Sequence, residues 1–282
     1  MREVFLPRSL PEVHDLLERH PDAALLAGGT DLLVAMSEGL RNPPALVGLE
    51  RVPELAAIEE RGDALFLGAA ATHARLLASP PVVRELPVLC RALSVLGSPQ
   101  VRHMGTIGGN VVTASPGADS LPPLYVLRAE VELATRAARR RLPIADFVLG
   151  PGKTALAPGE LLVGLHVPKP RGFSVSHHEK VGRRRALACA VASLAALLDL
   201  EADGTVRRAR LAFGSVGETV VAVPAVEEAL AGRRLGRDLL ASLAPEVERT
   251  VSPIDDVRAS AAYRRVVSGL LLERLALAAP SA

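Results

Sequence analysis

Two glycine-rich turns carry the residue types in this chain that are best suited to chemistry. The first, "AGGTD", spans residues 27–31, and the second, "GTIGGN", spans residues 105–110. Glycines let a backbone approach a ligand closely and adopt positive φ, and the first amides of a following helix can donate to an anion. Thr30, Thr106 and Asn110 add side-chain donors. The two turns are therefore suited to holding a diphosphate from two sides.

Neither turn is diagnostic by itself. The first lacks both the G-x-G-x-x-G fingerprint and the lysine of a P-loop, so a purely structural tight turn explains it equally well. The second places Gly108 and Gly109 in succession, which suits an anion-binding nest of backbone amides; a glycine-rich loop that crosses another backbone is the alternative. The surrounding stretch 101–120 has little hydrophobic periodicity, which disfavours both helix and core. Asp119, near its end, is suited to accept a hydrogen bond from a ribose hydroxyl or a ring N–H.

Other reactive side chains do not group into a site. Adjacent strand residues point to opposite faces, so His177 and His178 do not suit a shared metal ion. His73, at a predicted helix start, is expected in solvent. Cys90 and Cys189 lie in apolar segments, are expected to be small buried side chains, and are too few for an iron–sulfur cluster. We predict no catalytic residue and no metal ligand in this chain.

Composition, charge and the length of the apolar runs argue against a nucleic-acid-binding protein and against a membrane-spanning or secreted one. A net charge of +2 over 282 residues and an aromatic content of 2% argue against a nucleic-acid surface. The longest apolar run, residues 186–198, is too short to cross a bilayer, and the N-terminus has no secretory hydrophobic region. We therefore expect a cytoplasmic protein without a membrane span. The basic runs 136–142 and 180–187 are expected to be a hairpin tip and a solvated edge, with a docking surface for an acidic partner as the alternative.

Local signals place the elements that must position the turns. Ser9 and Glu12 are spaced as a capping box at the start of an amphipathic helix. Gly62 and Asp63 separate two strands of a predicted hairpin. Thr72 is suited to cap the short helix that follows it.

The pattern of predicted strands and helices changes twice along the sequence, which predicts three structural units. Residues 1–50 and 51–170 read as two intertwined α/β subdomains, because short strands and helices alternate in both. Residues 171–282 change to long strands followed by helices. We predict an α+β fold in which a two-subdomain α/β part precedes a small antiparallel sheet with helices.

Three segments, in this order, carry a family resemblance. They are "LLAGGTDLL", "GSPQVRHMGTIGGNVVTASPGADSLPPL" and "HEKVGRRRALACAVAS". Together they resemble the FAD-binding medium subunit of molybdenum hydroxylases, a group that includes aerobic carbon monoxide dehydrogenase, bacterial xanthine dehydrogenase and related aromatic or heterocycle hydroxylases. The resemblance covers essentially the whole chain, and the combination of the two glycine motifs is specific.

The resemblance implies FAD as the cofactor, a two-subdomain FAD-binding fold of the vanillyl-alcohol-oxidase (PCMH) type, and a C-terminal domain of the carbon monoxide dehydrogenase flavoprotein type over residues 171–282. The residues that it implies at the FAD diphosphate are Ala27, Gly28, Gly29, Thr30, Asp31, Leu32, Thr106, Ile107, Gly108, Gly109 and Asn110.

The resemblance also implies three residues at the rest of the cofactor. Asp119 is expected near the FAD sugar chain, Leu162 near the flavin, and Lys180 beside the ring system. The alternative for Lys180 is an exposed strand lysine paired with Glu179 or Asp199. The resemblance also brings His73 close to the cofactor, as the alternative to a solvated helix start.

The resemblance further implies that the chain works in an assembly. Substrate would be oxidised at molybdopterin on a large partner subunit, and electrons would pass through [2Fe–2S] centres on a small partner subunit to this FAD and then to an external acceptor. A heterotrimer is implied, and a dimer of heterotrimers is left open. Two alternatives stay open: a self-sufficient FAD-dependent oxidase or dehydrogenase, and a non-catalytic assembly subunit that kept the fold.

Overall fold

The structure is a computed structural model that describes residues 2–184 and 187–278. Arg185 and Ala186, in the second basic run, and residues 279–282, at the end of the predicted third unit, lie outside the described residues.

The N-terminal unit is a three-stranded parallel sheet with two helices. Its elements are β1 (Glu3–Phe5), α1 (Leu10–Arg19), β2 (Ala24–Leu26), α2 (Leu32–Ser37) and β3 (Ala45–Gly48). The strand order is β1-β3-β2. The Ser9 hydroxyl caps α1 by accepting from the Glu12 amide at 3.4 Å, and the Glu12 carboxylate accepts from the Arg8 amide at 2.8 Å. The predicted helix start is confirmed, with the return bond of the capping box displaced by one residue.

The middle unit is a five-stranded antiparallel sheet with a run of short helices on one face. Its elements are β4 (Ile58–Arg61), β5 (Ala64–Gly68), α3 (His73–Ala78), α4 (Pro80–Glu85), α5 (Pro87–Ser94), α6 (Pro99–Met104), α7 (Ile107–Thr113), α8 (Leu121–Val126), β6 (Glu130–Ala134), β7 (Arg139–Pro143), α9 (Ile144–Phe147), β8 (Val148–Gly150), β9 (Lys153–Thr154) and β10 (Leu161–Pro168). The sheet order is β4-β5-β10-β6-β7, and β8 and β9 form a separate ribbon. The predicted hairpin at Gly62 and the Thr72 helix cap are both confirmed.

The C-terminal unit is a four-stranded antiparallel sheet followed by helices. Its elements are β11 (Val175–Gly182), β12 (Ala190–Leu200), β13 (Val206–Gly214), β14 (Val221–Ala222), α10 (Pro224–Leu230), α11 (Arg237–Thr250) and α12 (Ala261–Arg274), in the sheet order β11-β12-β13-β14. The mixed fold with a C-terminal antiparallel sheet and helices is as predicted. Within the described ranges, no helix combines the length and apolarity needed to cross a bilayer.

Three apolar cores join these layers. The first core lies between one face of the five-stranded sheet, the short helices and β12. The second core lies between β12 and the C-terminal helices. The third core lies between α1 and the other face of the five-stranded sheet. Strand β12 therefore belongs to two cores: Leu197 faces the first and Leu198 the second. Burial on both faces explains why this strand reads as an unbroken apolar run.

The stretch 101–120 differs from the sequence prediction, because much of it is helical and partly in the core. Helix α7 lies within it, and Ile107 and Val111 are fully buried in the first core. The helix begins where the Thr106 hydroxyl accepts from the Gly109 amide at 3.1 Å, and it ends at Ala114 in the left-handed conformation. The prediction of poor helix and poor core was wrong because the helices are too short to show periodicity.

Candidate functional site

The first glycine turn leaves a row of backbone donors without protein partners. In the described part of the chain, none of the amides of residues 28–32 donates to a protein acceptor. Gly29 adopts a left-handed φ of 70°. Any side chain at Gly28 would clash with the Met104 carbonyl, so the turn lies directly on the end of α6. Five free amides in succession suit an anion such as a diphosphate.

The second glycine turn is different, because the amides of residues 107–110 are already bonded. Ile107 donates to the Ala71 carbonyl at 3.0 Å and Gly108 to the Ala69 carbonyl at 2.9 Å. Gly109 donates to the Thr106 hydroxyl. The predicted nest of free amides at Gly108 and Gly109 is therefore wrong. The donors that remain at this turn are the Thr106 amide and side-chain groups.

Two side chains of the second turn keep a free donor. The Thr106 hydroxyl uses an acceptor lone pair for the Gly109 amide, which leaves its proton available. Asn110 accepts through Oδ1 from the Ser120 hydroxyl at 2.5 Å, which leaves its NH₂ group available. Asp31 links the first turn to the end of α7 by accepting from the Thr113 hydroxyl at 3.3 Å. The first turn thus offers backbone donors, and the second offers side-chain donors beside it.

Asp119 and Lys180 form a buried ion pair between the middle and C-terminal units. Lys180 Nζ lies 2.6 Å from Asp119 Oδ2, and both side chains are only 8% exposed. Lys180 also donates to the Val95 carbonyl at 3.3 Å. The alternative of an exposed lysine paired with Glu179 or Asp199 was wrong, since those carboxylates pair with arginines on other elements.

One oxygen of Asp119 is left over. Its Oδ1 is buried and has no hydrogen-bond partner among the described residues. Burial raises the pKa of Asp119, and Lys180 opposes this shift. Asp119 is adjacent in sequence to Ser120, whose hydroxyl donates to Asn110, so the ion pair adjoins the second turn. A buried acceptor without a partner suits a hydroxyl or ring N–H of a ligand.

A cavity of about 250 Å³ opens beside Lys180. Arg91 and Val95 at the C-terminal part of α5 form one wall, and His178 and Lys180 of β11 form the other. Its end is closed by Gly182, Arg184, Leu187 and Ala188. This cavity is the space next to the ion pair that a ring system could enter.

Leu162 is placed differently from the other predicted site residues. It is 4% exposed and lies in the first core, opposite Leu133 of β6. Its neighbour Val163 accepts from the Ala69 amide at 2.9 Å, and Ala69 in turn accepts from Gly108. Leu162 therefore lies in the core beside the strand residue that is linked, through Ala69, to the second turn.

His73 is a residue whose position the sequence did not reveal. It is 2% exposed, and its amide donates to the Gly105 carbonyl at 3.0 Å. Burial, and then the charge of Arg102, lowers the pKa of His73 to about 4. The expectation of a solvated histidine was wrong because an isolated bridge between Thr72 and Thr106 folds this helix start under both turns. The Thr72 cap was the available signal, but it marks the helix and not its neighbours.

No metal site is apparent among the described side chains, where no three His, Cys, Asp or Glu residues group together. Cys90 is half-buried, and burial raises the pKa of its thiol to about 11. Cys189 is exposed, so the expectation that both cysteines are buried was wrong for this one.

Comparison with known proteins identifies the family. Residues 1–170 match the family described as FAD binding domain in molybdopterin dehydrogenase, and residues 177–279 match CO dehydrogenase flavoprotein C-terminal domain. The chain belongs to this family of FAD-binding subunits. FAD as cofactor and the family resemblance are thereby confirmed.

The relatives are similar over nearly their whole length. The xanthine dehydrogenase FAD-binding subunit of Escherichia coli O157:H7 is 32% identical over 258 residues, which cover 91% of this chain and 88% of that protein. The carbon monoxide dehydrogenase medium chain of Hydrogenophaga pseudoflava is 31% identical and covers 96% and 94%. The structure of a Hydrogenophaga pseudoflava carbon monoxide dehydrogenase that lacks the Mo-pyranopterin moiety matches with a TM-score of 0.91, 32% identity, and coverage of 98% and 96%. This match confirms the predicted fold class. The chain is a flavoprotein subunit of the kind found in multi-subunit molybdenum hydroxylases.

Proposed function

We propose that this chain transfers electrons through FAD from a [2Fe–2S] partner subunit to an external acceptor, in an assembly whose molybdopterin lies on a large subunit. The row of free amides at residues 28–32 carries the proposal, because it is the part of the chain that fits a diphosphate. The two cysteines of this sequence cannot ligate a [2Fe–2S] cluster. A [2Fe–2S] electron donor would therefore belong to another chain.

The proposed cofactor contacts follow the geometry of the site. The amides of residues 28–32 hold the diphosphate, with Thr106 and Asn110 as side-chain donors. Asp119 accepts from the sugar chain or ring through its free Oδ1. Lys180 lies at the ring cavity, and Leu162 acts indirectly, from the core beside the strand residue that is linked to the second turn.

A bound flavin supplies the redox chemistry, accepting electrons from one partner and giving them to another. The protein tunes this chemistry by charge. Lys180 would stabilise negative charge on a reduced ring and so raise its potential, and Asp119 would offset part of that effect because it lies 2.6 Å from Lys180.

The self-sufficient and non-catalytic alternatives are weaker. The matched relatives are named as a FAD-binding subunit and a medium chain, which favours a subunit over a self-sufficient enzyme. The free amides and the orphaned Asp119 oxygen favour retained cofactor binding over a non-catalytic module.

A substitution at Gly109 tests the diphosphate site without disturbing the fold. Gly109 is exposed, and a Cβ there would meet only the Thr106 hydroxyl, at 3.0 Å. Gly109→Asp brings a carboxylate toward the diphosphate, whereas Gly109→Asn has the same shape without the charge. We expect Gly109→Asp to weaken FAD binding at least about tenfold relative to Gly109→Asn. A titration of the purified chain with FAD, followed by visible absorbance, measures both.

Co-purification tests the electron-transfer role. The chain, expressed together with a [2Fe–2S] subunit and a molybdopterin subunit of the same family of enzymes, is expected to form a complex in which reduction of the iron–sulfur subunit bleaches the flavin absorbance. Folded chain that binds no FAD, alone or in that complex, would overturn the proposal. Equal FAD affinity in the two Gly109 variants would remove the diphosphate assignment.

A further inference from the structure

His178 lies on the same face of β11 as Lys180. Side chains two apart in a strand point the same way. His178 is paired with Ala195 of β12, and Lys180 with Ser193. Ala195 belongs to the first core, so this face of the sheet is turned toward the middle unit. His178 therefore points to the side on which Lys180 meets Asp119.

The imidazole of His178 is unsatisfied. It lines the cavity of about 250 Å³ together with Lys180, Arg91 and Val95. Its Nε2 is buried and has no hydrogen-bond partner in residues 2–184 and 187–278. A buried polar atom without a partner costs free energy, and a ligand that supplies the partner removes the cost.

We propose that His178 is a positioning residue of the cofactor site, whose Nε2 forms a hydrogen bond with the polar edge of the flavin ring beside Lys180. This inference rests on the proposed function, since it takes the ring cavity as the place of the flavin. Lys180 then contributes a positive charge to the flavin site, and His178 contributes a directional hydrogen bond.

The electrostatics of the site keep the His178 imidazole uncharged. Burial lowers the pKa of His178 to about 3, and His177, Lys180 and Arg91 add to this shift. A neutral imidazole has one donor and one acceptor nitrogen. It can therefore fix the orientation of the ring without changing the net charge around it.

His177 offers a matched control one residue away. It points to the opposite face, toward the second core, where its Nε2 also has no hydrogen-bond partner among the described residues and lies 3.6 Å from a Glu179 carboxylate oxygen. It does not line the cavity. A substitution at His177 disturbs the same strand from the face opposite to Lys180 and His178.

The experiment compares His178→Leu, His178→Gln and His177→Leu in FAD titrations of the full chain. We expect His178→Leu to weaken FAD binding about tenfold and to shift the visible band of the bound flavin. His178→Gln keeps a hydrogen-bonding group and should recover part of both. His177→Leu should match the wild type.

Nitrogen-15 labelling of the wild-type histidines gives a readout that needs no variant. The Nε2 resonance of His178, assigned by its loss in His178→Leu, should move when FAD is added. FAD binding that leaves this resonance and the His178→Leu spectrum unchanged would overturn the role of His178 alone. Folded wild-type chain that takes no FAD would overturn both this role and the proposed function.

Discussion

His73 shows how a single buried side chain supports the site. Its amide bonds to the Gly105 carbonyl, and its Nδ1 is buried with no partner among the described residues. Arg102 is the charged group that acts on it, and the guanidinium of Arg102 is held by the Leu96 and Gly97 carbonyls. A proton on His73 would place a second positive charge under the glycine turns. The neutral form is therefore part of the folded state.

This neutrality predicts an acid-sensitive contribution to stability. The folded-state pKa of His73 is about 4, below the ordinary 6.5, so the unfolded chain binds more protons between these values. The free energy of unfolding must then fall as the pH falls from 6.5 toward 4. We expect wild type to lose up to about 3 kcal/mol more than His73→Gln over this window. Urea unfolding at a series of pH values measures the difference.

The control for this prediction is the exposed histidine on α6. His103→Gln is expected to keep the wild-type dependence, because its ring is exposed and bonds only the Pro99 carbonyl. Parallel curves for wild type and His73→Gln would show that His73 is not held neutral by the fold.

At the scale of elements, the two glycine turns differ in whether their amides are free. The turn before α2 has free amides, and no residue of α2 is buried. The turn before α7 has bonded amides at residues 107–110, and Ile107, Gly108 and Val111 of that helix are buried. The first turn can therefore bind a ligand through its free amides, whereas the second turn is fixed in position by its own hydrogen bonds and its buried residues.

This division predicts opposite behaviour in amide hydrogen exchange. Amides of residues 28–32 should exchange rapidly in the chain without cofactor, and amides of residues 107–110 should exchange slowly. Added FAD should slow residues 28–32 at least about tenfold and change residues 107–110 little. Riboflavin, which lacks the diphosphate, is the control and should leave residues 28–32 rapid. Protection of residues 28–32 by riboflavin would contradict their assignment to the diphosphate.

The features that the sequence could predict are those whose cause lies in neighbouring residues of the chain. The strand–turn–helix at the first glycines, the Thr72 cap and the hairpin at Gly62 rest on neighbouring residues, and all were predicted. Helix α7 was missed because it depends on bonds to Ala69 and Ala71, far away in the sequence.

The same distinction holds in the site. Asp119 and Lys180 are 61 positions apart, and no pattern in the sequence links them. The resemblance placed both near the cofactor, but only the fold shows that they pair with each other. Burial of His73 was missed for the same reason.

At the scale of the molecule, β12 is the element that couples the layers. Ten of its eleven residues are buried, because one face belongs to the first core and the other to the second. The ring cavity and the Asp119–Lys180 pair both depend on β11, which is held in place by β12. Division of the chain at residues 50 and 170 stays a prediction, and the shared strand argues that the middle and C-terminal units unfold together.

A pair of neighbouring substitutions tests this coupling. Leu197 and Leu198 are both fully buried, one in each core. Each change to Ala is expected to lower the free energy of unfolding by about 2–5 kcal/mol. If the units unfold as one, each variant should lower the opening free energy of the slowest-exchanging amides of α8 and of α12 by the same amount, whichever core it touches. Native-state hydrogen exchange with mass spectrometry measures both helices in one sample. Separate opening of the two units would give a different result: Leu197→Ala would affect only α8, and Leu198→Ala would affect only α12. The cofactor site between the units would then be a contact that opens before either unit unfolds.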